Sequence, residues 1–499
     1  MDALPEVSGP ADFVRVSQPM DRTTSLAEVR VTRGGALRQR LLPEWSDRNF
    51  LVILGARTAM SGARALAGVV TPIYLALEGF DALRLGALLA LVAVTSAVLS
   101  TTIGITSDRV GRKPFLVGVP LLAAAAAVVF AYDRSTVFLF ASAALGSFGR
   151  GSGASAGAVG PYQPAESAFV AEALPPRYRN TAFGRLSFAS SVGALGGGLL
   201  ALLAPSGHLH GASATSAFRS AFLVAALLAA LAGLVALLIR PPQAVGMEAQ
   251  LVSAAPGGRT GREIAARARN EPPATAQESP GRGQRILAKL HFPQRSRGLL
   301  YRLWLTNGLN GFAIGMFGPF ISYWFFRRFG ASAGEIGTLF AVVNALTAAS
   351  TLTAAGLARR WGLVATVTIV RNAQALLLVP MVLMPSFETA GAVYLLRMVV
   401  QRIGLPLRQS YVLAMADPSE RASVLALSNL PSQLSMAVSP LFAGYLFDEV
   451  SLALPFDIAA VFQAANAMLF WVFFRHAPPE EERPPAGGLA VGELPGAAP

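Results

Sequence analysis

The chain of 499 residues contains no cysteine, which removes disulfides, thiolate metal sites and cysteine nucleophiles together. Histidine is almost as scarce, with four copies. His208 and His210, in Gly207-His208-Leu209-His210, have a spacing that could bind a metal, but no third ligand lies nearby. They read as loop residues, and His291 and His476 as residues of polar segments. Charge is also sparse: 14% of residues are charged against 53% hydrophobic, with a mean hydropathy of +0.50. That is too oily for a soluble protein of this length. Nor does any face gather convergent catalytic groups, so an enzyme, a metal centre and a bound cofactor are not expected.

What the chain does have is long apolar runs. A membrane-crossing helix needs about 20 mainly apolar residues to traverse ~30 Å of hydrocarbon. Runs of that kind fall at 50–77, 84–106, 115–132, 137–172, 181–204 and 217–239, and again at 301–326, 336–358, 363–384, 389–415, 422–447 and 452–474. Helices satisfy their own backbone polar groups inside lipid, so the expected fold class is an all-α polytopic membrane protein with twelve transmembrane helices. The fourth run is too long for one straight span. Gly151, Gly153, Gly157, Gly160, Pro161 and Pro164 predict a kink or break within it.

The formal charge of +13 sits mainly between the runs. Nucleic-acid binding would need that charge on one folded face with stacking aromatics. The positive-inside rule instead assigns Arg109, Arg112, Lys113, Arg177, Arg179, Arg359, Arg360 and Arg421 to the cytoplasm. Glu78, Asp81, Asp133, Arg134, His208, His210, Asp448 and Glu449 then lie outside, while Arg327 and Arg328 run against the pattern. The first ~49 residues are polar and mixed in charge and predict no cleavable signal. Residues 240–300, rich in Pro, Gly, Ala and Arg, read as a flexible cytoplasmic linker. The expected organisation is a cytoplasmic tail (1–49), a six-helix bundle (50–239), the linker (240–300), a second six-helix bundle (301–474) and a cytoplasmic tail (475–499). Both termini would be cytoplasmic, in a plasma membrane, or the inner membrane of a bacterium.

The two halves look related. Gly79, Gly86 and Gly111 map onto Gly330, Gly337 and Gly362, each at a separation of 251 (330−79, 337−86, 362−111). Pro164-Ala165-Glu166 falls on Pro406-Leu407-Arg408 at 242 (406−164), a shift that loop-length drift would produce. The pattern reads as an internal repeat, giving two pseudo-symmetric bundles.

Between the second and third runs lies Gly104-Ile105-Thr106-Ser107-Asp108-Arg109-Val110-Gly111-Arg112-Lys113. Gly104 lets a neighbouring helix approach closely, and Gly111 permits a tight turn. The spacing closely resembles the cytoplasmic signature of the major facilitator superfamily, with a decayed copy at Gly356-Leu357-Ala358-Arg359-Arg360-Trp361-Gly362. The resemblance implies two six-helix bundles around a central cavity, alternating access, and a conformational latch made by Gly104, Asp108, Arg109, Gly111 and Arg112. A second resemblance is to the antiporter motif of that family: Gly193-Ala194-Leu195-Gly196-Gly197-Gly198 has its spacing, with Ala194 where proline is expected. The eleventh run offers Ser439-Pro440-Leu441-Phe442-Ala443-Gly444 at the matching place. A third is Arg150 with Gly153 and Gly157, which resembles the intramembrane arginine of drug/proton antiporters, linked there to proton coupling. Its leading leucine, Leu145, stands five residues before the arginine rather than four.

Charges inside the spans narrow the site. An arginine at mid-bilayer costs about 2.5–3.5 kcal/mol even on the mild insertion scale, so it should face protein or a water-filled cavity. Arg57 and Arg64 lie seven residues apart on nearly one helical face. Glu166 lies at a depth similar to that of Arg57, and the two are expected to pair while Arg64 projects into the cavity. Glu166 is the acidic residue clearly within a span of the first half and leads as the protonatable group; a structural ion pair is the competing role. Candidate cavity residues in the second half are Asn307, Asn310, Tyr323, Arg397, Gln401, Arg408, Asn429 and Gln433. The expected function is a proton-coupled efflux antiporter of small organic molecules, acting as a monomer. The alternative is a carrier of anionic solutes, because arginine suits carboxylate and phosphate. A membrane receptor or membrane enzyme is the reading from another class.

Overall fold

The computed structural model describes residues 48–133, 135–147, 160–174, 176–204, 212–240, 295–350, 360, 362–415, 424 and 427–475. Residues 1–47, 241–294 and 476–499, which make up most of the expected tails and linker, lie outside the described residues with Arg150, His208 and His210, as do the side chains of Asp108, Arg109 and Arg408; helices begin inside the expected tail and linker, at Arg48 and Arg297. The helical bundle lies within Asn49–Pro499.

Among the described residues the secondary structure is helical, with no strand. The helices are α1 (Arg48–Leu77), α2 (Ala82–Val110), α3 (Lys113–Tyr132), α4 (Thr136–Gly146), α5 (Gln163–Ala173), α6 (Pro176–Leu200), α7 (Ala212–Leu237), α8 (Arg297–Phe317), α9 (Ile321–Phe329), α10 (Ala333–Ser350), α11 (Leu363–Leu376), α12 (Leu378–Leu383), α13 (Phe387–Met415), α14 (Leu430–Glu449) and α15 (Leu454–Phe474). Seven described helices are long and apolar enough to cross a membrane. Their outer faces carry bare aliphatic side chains such as Val98, Leu227 and Val461. A surface of that kind is stable against lipid and not against water.

Local chemistry sets where the helices start and break. Proline stands in the first turn of α3, α5, α14 and α15, where the missing N–H would have no partner anyway. The long fourth run is split, as its glycines and prolines predict: α4 ends at Ser147 in the left-handed region (φ 55°), and α5 begins after Gly160 (φ 105°). Two further breaks were not anticipated. The seventh run divides into α8 and α9 around Gly318 and Pro319, and the ninth into α11 and α12 just before Pro380. In both cases a proline removes a helix donor and crowds the preceding turn.

The glycine repeat has a structural counterpart. Gly79 (φ 85°) and Gly330 (φ 67°) turn the chain into α2 and α10, and Gly111 (φ 97°) and Gly362 (φ 78°) turn it into α3 and α11. Helices α2, α3 and α4 pack among themselves, and α3 packs on α7. In the second half α8 packs on α14 and α15, and α11 on α13 and α15. Among the described residues the halves meet chiefly where α2 packs on α14 and α6 on α10. Both are glycine contacts. A Cβ on Gly86 would meet the Pro440 carbonyl oxygen, and one on Gly337 would meet that of Gly198.

Candidate functional site

The first polar centre lies between α1, α5 and α6. Arg57 Nη1 donates to Glu166 Oε2, so the guanidinium and carboxylate expected at similar depth do meet. Arg57 Nε donates to Ser190 Oγ at 2.7 Å, and Ser61 Oγ donates to the same Ser190 oxygen at 3.0 Å. All four residues are buried, with Glu166 at 2% exposure. Burying two charges costs several kcal/mol per ion, and the loss is offset only by good mutual geometry and further hydrogen bonds. Ser190 supplies such a bond.

Arg64 lies further along α1 and is half-buried. Its Nη1 stands 2.6 Å from where a Cβ of Gly160 would be, and Gly160 has φ 105°. That glycine therefore serves twice: it accepts a left-handed backbone and leaves room for the guanidinium. Helix α6 reaches this centre because its own glycines let it touch α1 backbone to backbone. A Cβ on Gly193 would meet the Thr58 carbonyl oxygen, and one on Gly197 that of Gly62.

A second polar centre lies within the second half. Arg397 on α13 is fully buried. Its guanidinium carbon sits 4.3 Å from the Phe317 ring centroid. Nη1 donates to Gln401 Oε1 at 3.3 Å and Nη2 to Gln463 Oε1 at 3.4 Å, while Nε has no hydrogen-bond partner. Its recorded neighbours are thus neutral amides, a thioether and a ring, with no carboxylate among them. Alongside, Arg371 Nη1 donates to Asn466 Oδ1 at 2.8 Å, and Asn466 Nδ2 donates to Asn310 Oδ1 at 3.5 Å. Gln463 and Asn466, three apart on α15, present one polar face to both arginines.

The other candidates scatter. Asn307 is buried and donates from Nδ2 to the Ser428 carbonyl at 2.6 Å, tying α8 to the approach of α14. Asn429 and Gln433 are exposed at the start of α14. Tyr323 is buried in an aromatic group with Phe320 and Phe447, ring centroids 6.2 Å away in each case. Arg408 is on α13 with its side chain outside the described set. At the other end, Gly111 caps α2 through its N–H to the Ser107 carbonyl at 3.1 Å. Arg112 bridges Ser107 Oγ at 2.6 Å and Glu172 Oε1 at 2.7 Å, linking the α2–α3 turn to α5. Gly104 lies in ordinary contact range of Pro164 on α5.

Ser190, Glu172, Arg371, Gln463 and Asn466 were not among the candidates. Arg371 and Gln463 are polar residues within apolar runs, a signal that could have flagged them. Nothing in sequence distinguishes Ser190 from the many other serines. No cluster of histidine and acidic side chains able to hold a metal is present among the described residues.

A bilayer-facing helical bundle built on a repeated glycine framework, with buried charge in each half, defines a multi-pass membrane transport protein. The family profile described as the Major Facilitator Superfamily matches residues 53–273 and 303–495. The chain belongs to that family. No curated protein matches it. Among solved structures it is similar to a bacterial homologue of the human lysosomal transporter Spinster, captured inward-facing and unoccupied, at 15% identity and TM-score 0.60 over 86% of this chain and 95% of that one. It is also similar to the nucleoside transporter NupG, at 14% identity and TM-score 0.59 over 86% and 100%. A D-xylose–proton symporter matches at 16% identity and TM-score 0.60 over 85% and 97%. These likenesses concern the fold.

Proposed function

We propose that this chain is a secondary active transporter that exports small organic molecules in exchange for protons by alternating access. It would act as a monomer in the plasma membrane with both termini in the cytoplasm. The observation that carries the reading is the buried Arg57–Glu166 pair. An ionised Glu166 holds α5 to α1 through Arg57. Protonation discharges the carboxylate and loosens that bond, leaving Ser190 to retain the guanidinium. A single proton can thereby change how α1, α5 and α6 fit together. The glycine contacts of α6 with α1 supply smooth surfaces for such a shift. Arg150, by its resemblance, and Arg64, beside Gly160, are the further cations assigned to coupling and to the cavity.

A second reading, carriage of anionic solutes, is favoured by Arg397. Its recorded neighbours include no carboxylate, and an organic acid or phosphorylated compound would supply the missing charge.

Liposomes containing the purified protein, with an imposed pH gradient, test both. Lipophilic and anionic compounds are added in turn, and collapse of the gradient identifies the class that moves. Glu166→Gln should abolish proton coupling while the protein stays folded and monodisperse; unchanged coupling removes Glu166 from the mechanism.

A further inference from the structure

We propose that Asp448 is the latch of the outer gate, capping the amino terminus of α2 from the opposite half, and that the cap must break and re-form in every transport cycle. The proposal rests on the alternating-access reading above. Its geometry lies at the end of the bundle holding residues 78–81 and 448–449, which the basic-residue distribution assigns to the outside.

The argument begins with unsatisfied donors. The first four N–H groups of an α-helix have no partner within it. Of the first three residues of α2, Arg84 is capped locally, its N–H donating to Asp81 at 2.7 Å, and from Leu85 onward the N–H groups bond within the helix, beginning with Leu85 to the Asp81 carbonyl at 3.1 Å. The other two donors turn to a residue more than 360 positions away. Ala82 N–H donates to Asp448 Oδ1 at 2.9 Å and Leu83 N–H to Asp448 Oδ2 at 2.7 Å. Both carboxylate oxygens are used, and the negative charge sits at the positive end of the α2 dipole. A carboxylate is the side chain best suited to bind two adjacent amides at a helix start.

Packing holds the latch in register. One turn before Asp448, a Cβ on Gly444 would meet the Ala82 carbonyl oxygen, and one turn into α2 a Cβ on Gly86 would meet that of Pro440. Backbones of the two helices therefore touch at the bonded amides and again one turn further along α2. Phe447, next to Asp448, closes on Phe320 with ring centroids 5.1 Å apart. A second tie between halves lies nearby, where Ser322 Oγ donates to the Gly68 carbonyl at 3.4 Å.

Reversibility follows from exposure. Asp448 and Leu83 are both exposed, so water can replace the two bonds as the helices part. The net gain is the modest value of charge-assisted bonds at a wet surface. A buried cap would fix the gate; this one biases it.

The absence of cysteine makes the test direct, because labels attach only where a cysteine is introduced. Arg84→Cys and Val450→Cys, both at exposed positions, are spin-labelled in the full-length protein in lipid nanodiscs, and the distance distribution is measured. In the parent the short-distance population should dominate. Asp448→Ala should raise the separated population by about tenfold, and Asp448→Asn, which keeps one acceptor oxygen, by less. If Asp448→Ala does not fold, the Asp448→Asn distribution decides. Distances unmoved by the substitutions, in a parent that transports, overturn the latch alone. A parent that moves no solute while Asp448→Ala still separates the labels overturns the transport reading and leaves the latch in place.

Discussion

Removing Arg57 alone would strand Glu166 as a buried carboxylate, and stranding a charge is worse than deleting a pair. Arg57→Met is therefore expected to destabilise the protein by about 3–5 kcal/mol, and Arg57→Met combined with Glu166→Leu to recover much of that loss. Thermal unfolding in detergent, with the midpoints ordered parent, double, single, checks it; a double substitution as damaging as the single would contradict the assignment. This pair was legible in the sequence because Glu166 is the acid clearly within a span of its half, and lipid leaves it few places to go. The partners of Arg397 were not legible. Gln463 and Asn466 differ from other amides only in the helix face that packing turns inward, and one sequence does not reveal packing. Arg112 was legible as part of a motif, yet its contact Glu172 was not, since an exposed glutamate at the end of an apolar run carries no mark.

At the scale of elements, α6 offers a comparison built into its glycine run. A Cβ at Gly197 would run into the Gly62 carbonyl of α1, whereas one at Gly196 would meet nothing within 4 Å. Gly197→Ala should force α6 away from α1, weaken the Arg57–Ser190 bond and cost about 1–3 kcal/mol. Gly196→Ala should be neutral or stabilising by up to about 1 kcal/mol through helix propensity. Unfolding midpoints and gradient-driven transport of the two variants, measured side by side, test the difference; equal behaviour would mean that the run is ordinary helix packing. The spacing of the run was visible in sequence, but which of its glycines face a backbone was not. Helix identity was likewise readable from apolar length, and the broken fourth span from its glycines and prolines. The breaks at Pro319 and Pro380 were missed because an apolar run reads as one span whether or not a proline interrupts its helix.

For the whole molecule, the repeat predicts equivalence between two contacts that share no sequence. Gly86 and Gly337 are separated by 251 residues (337−86), and each faces a backbone carbonyl of the other half: Pro440 on α14 for the first, Gly198 on α6 for the second. Within the transport reading, both contacts belong to the state closed on the outer side, and both must open together if the halves move as bodies. Gly86→Ala and Gly337→Ala should then have the same effect, holding the outer end open rather than unfolding either half. Ser322→Cys provides the reporter. Ser322 is 1% exposed and bonded to the Gly68 carbonyl, so a membrane-impermeant maleimide should label it slowly in an otherwise cysteine-free parent. Either alanine should raise the labelling rate by about tenfold or more, and the double variant should add little, because a gate already open cannot open twice. Additive rates would mean that α2–α14 and α6–α10 open independently, and the rigid-body picture would fail while each contact remained as described.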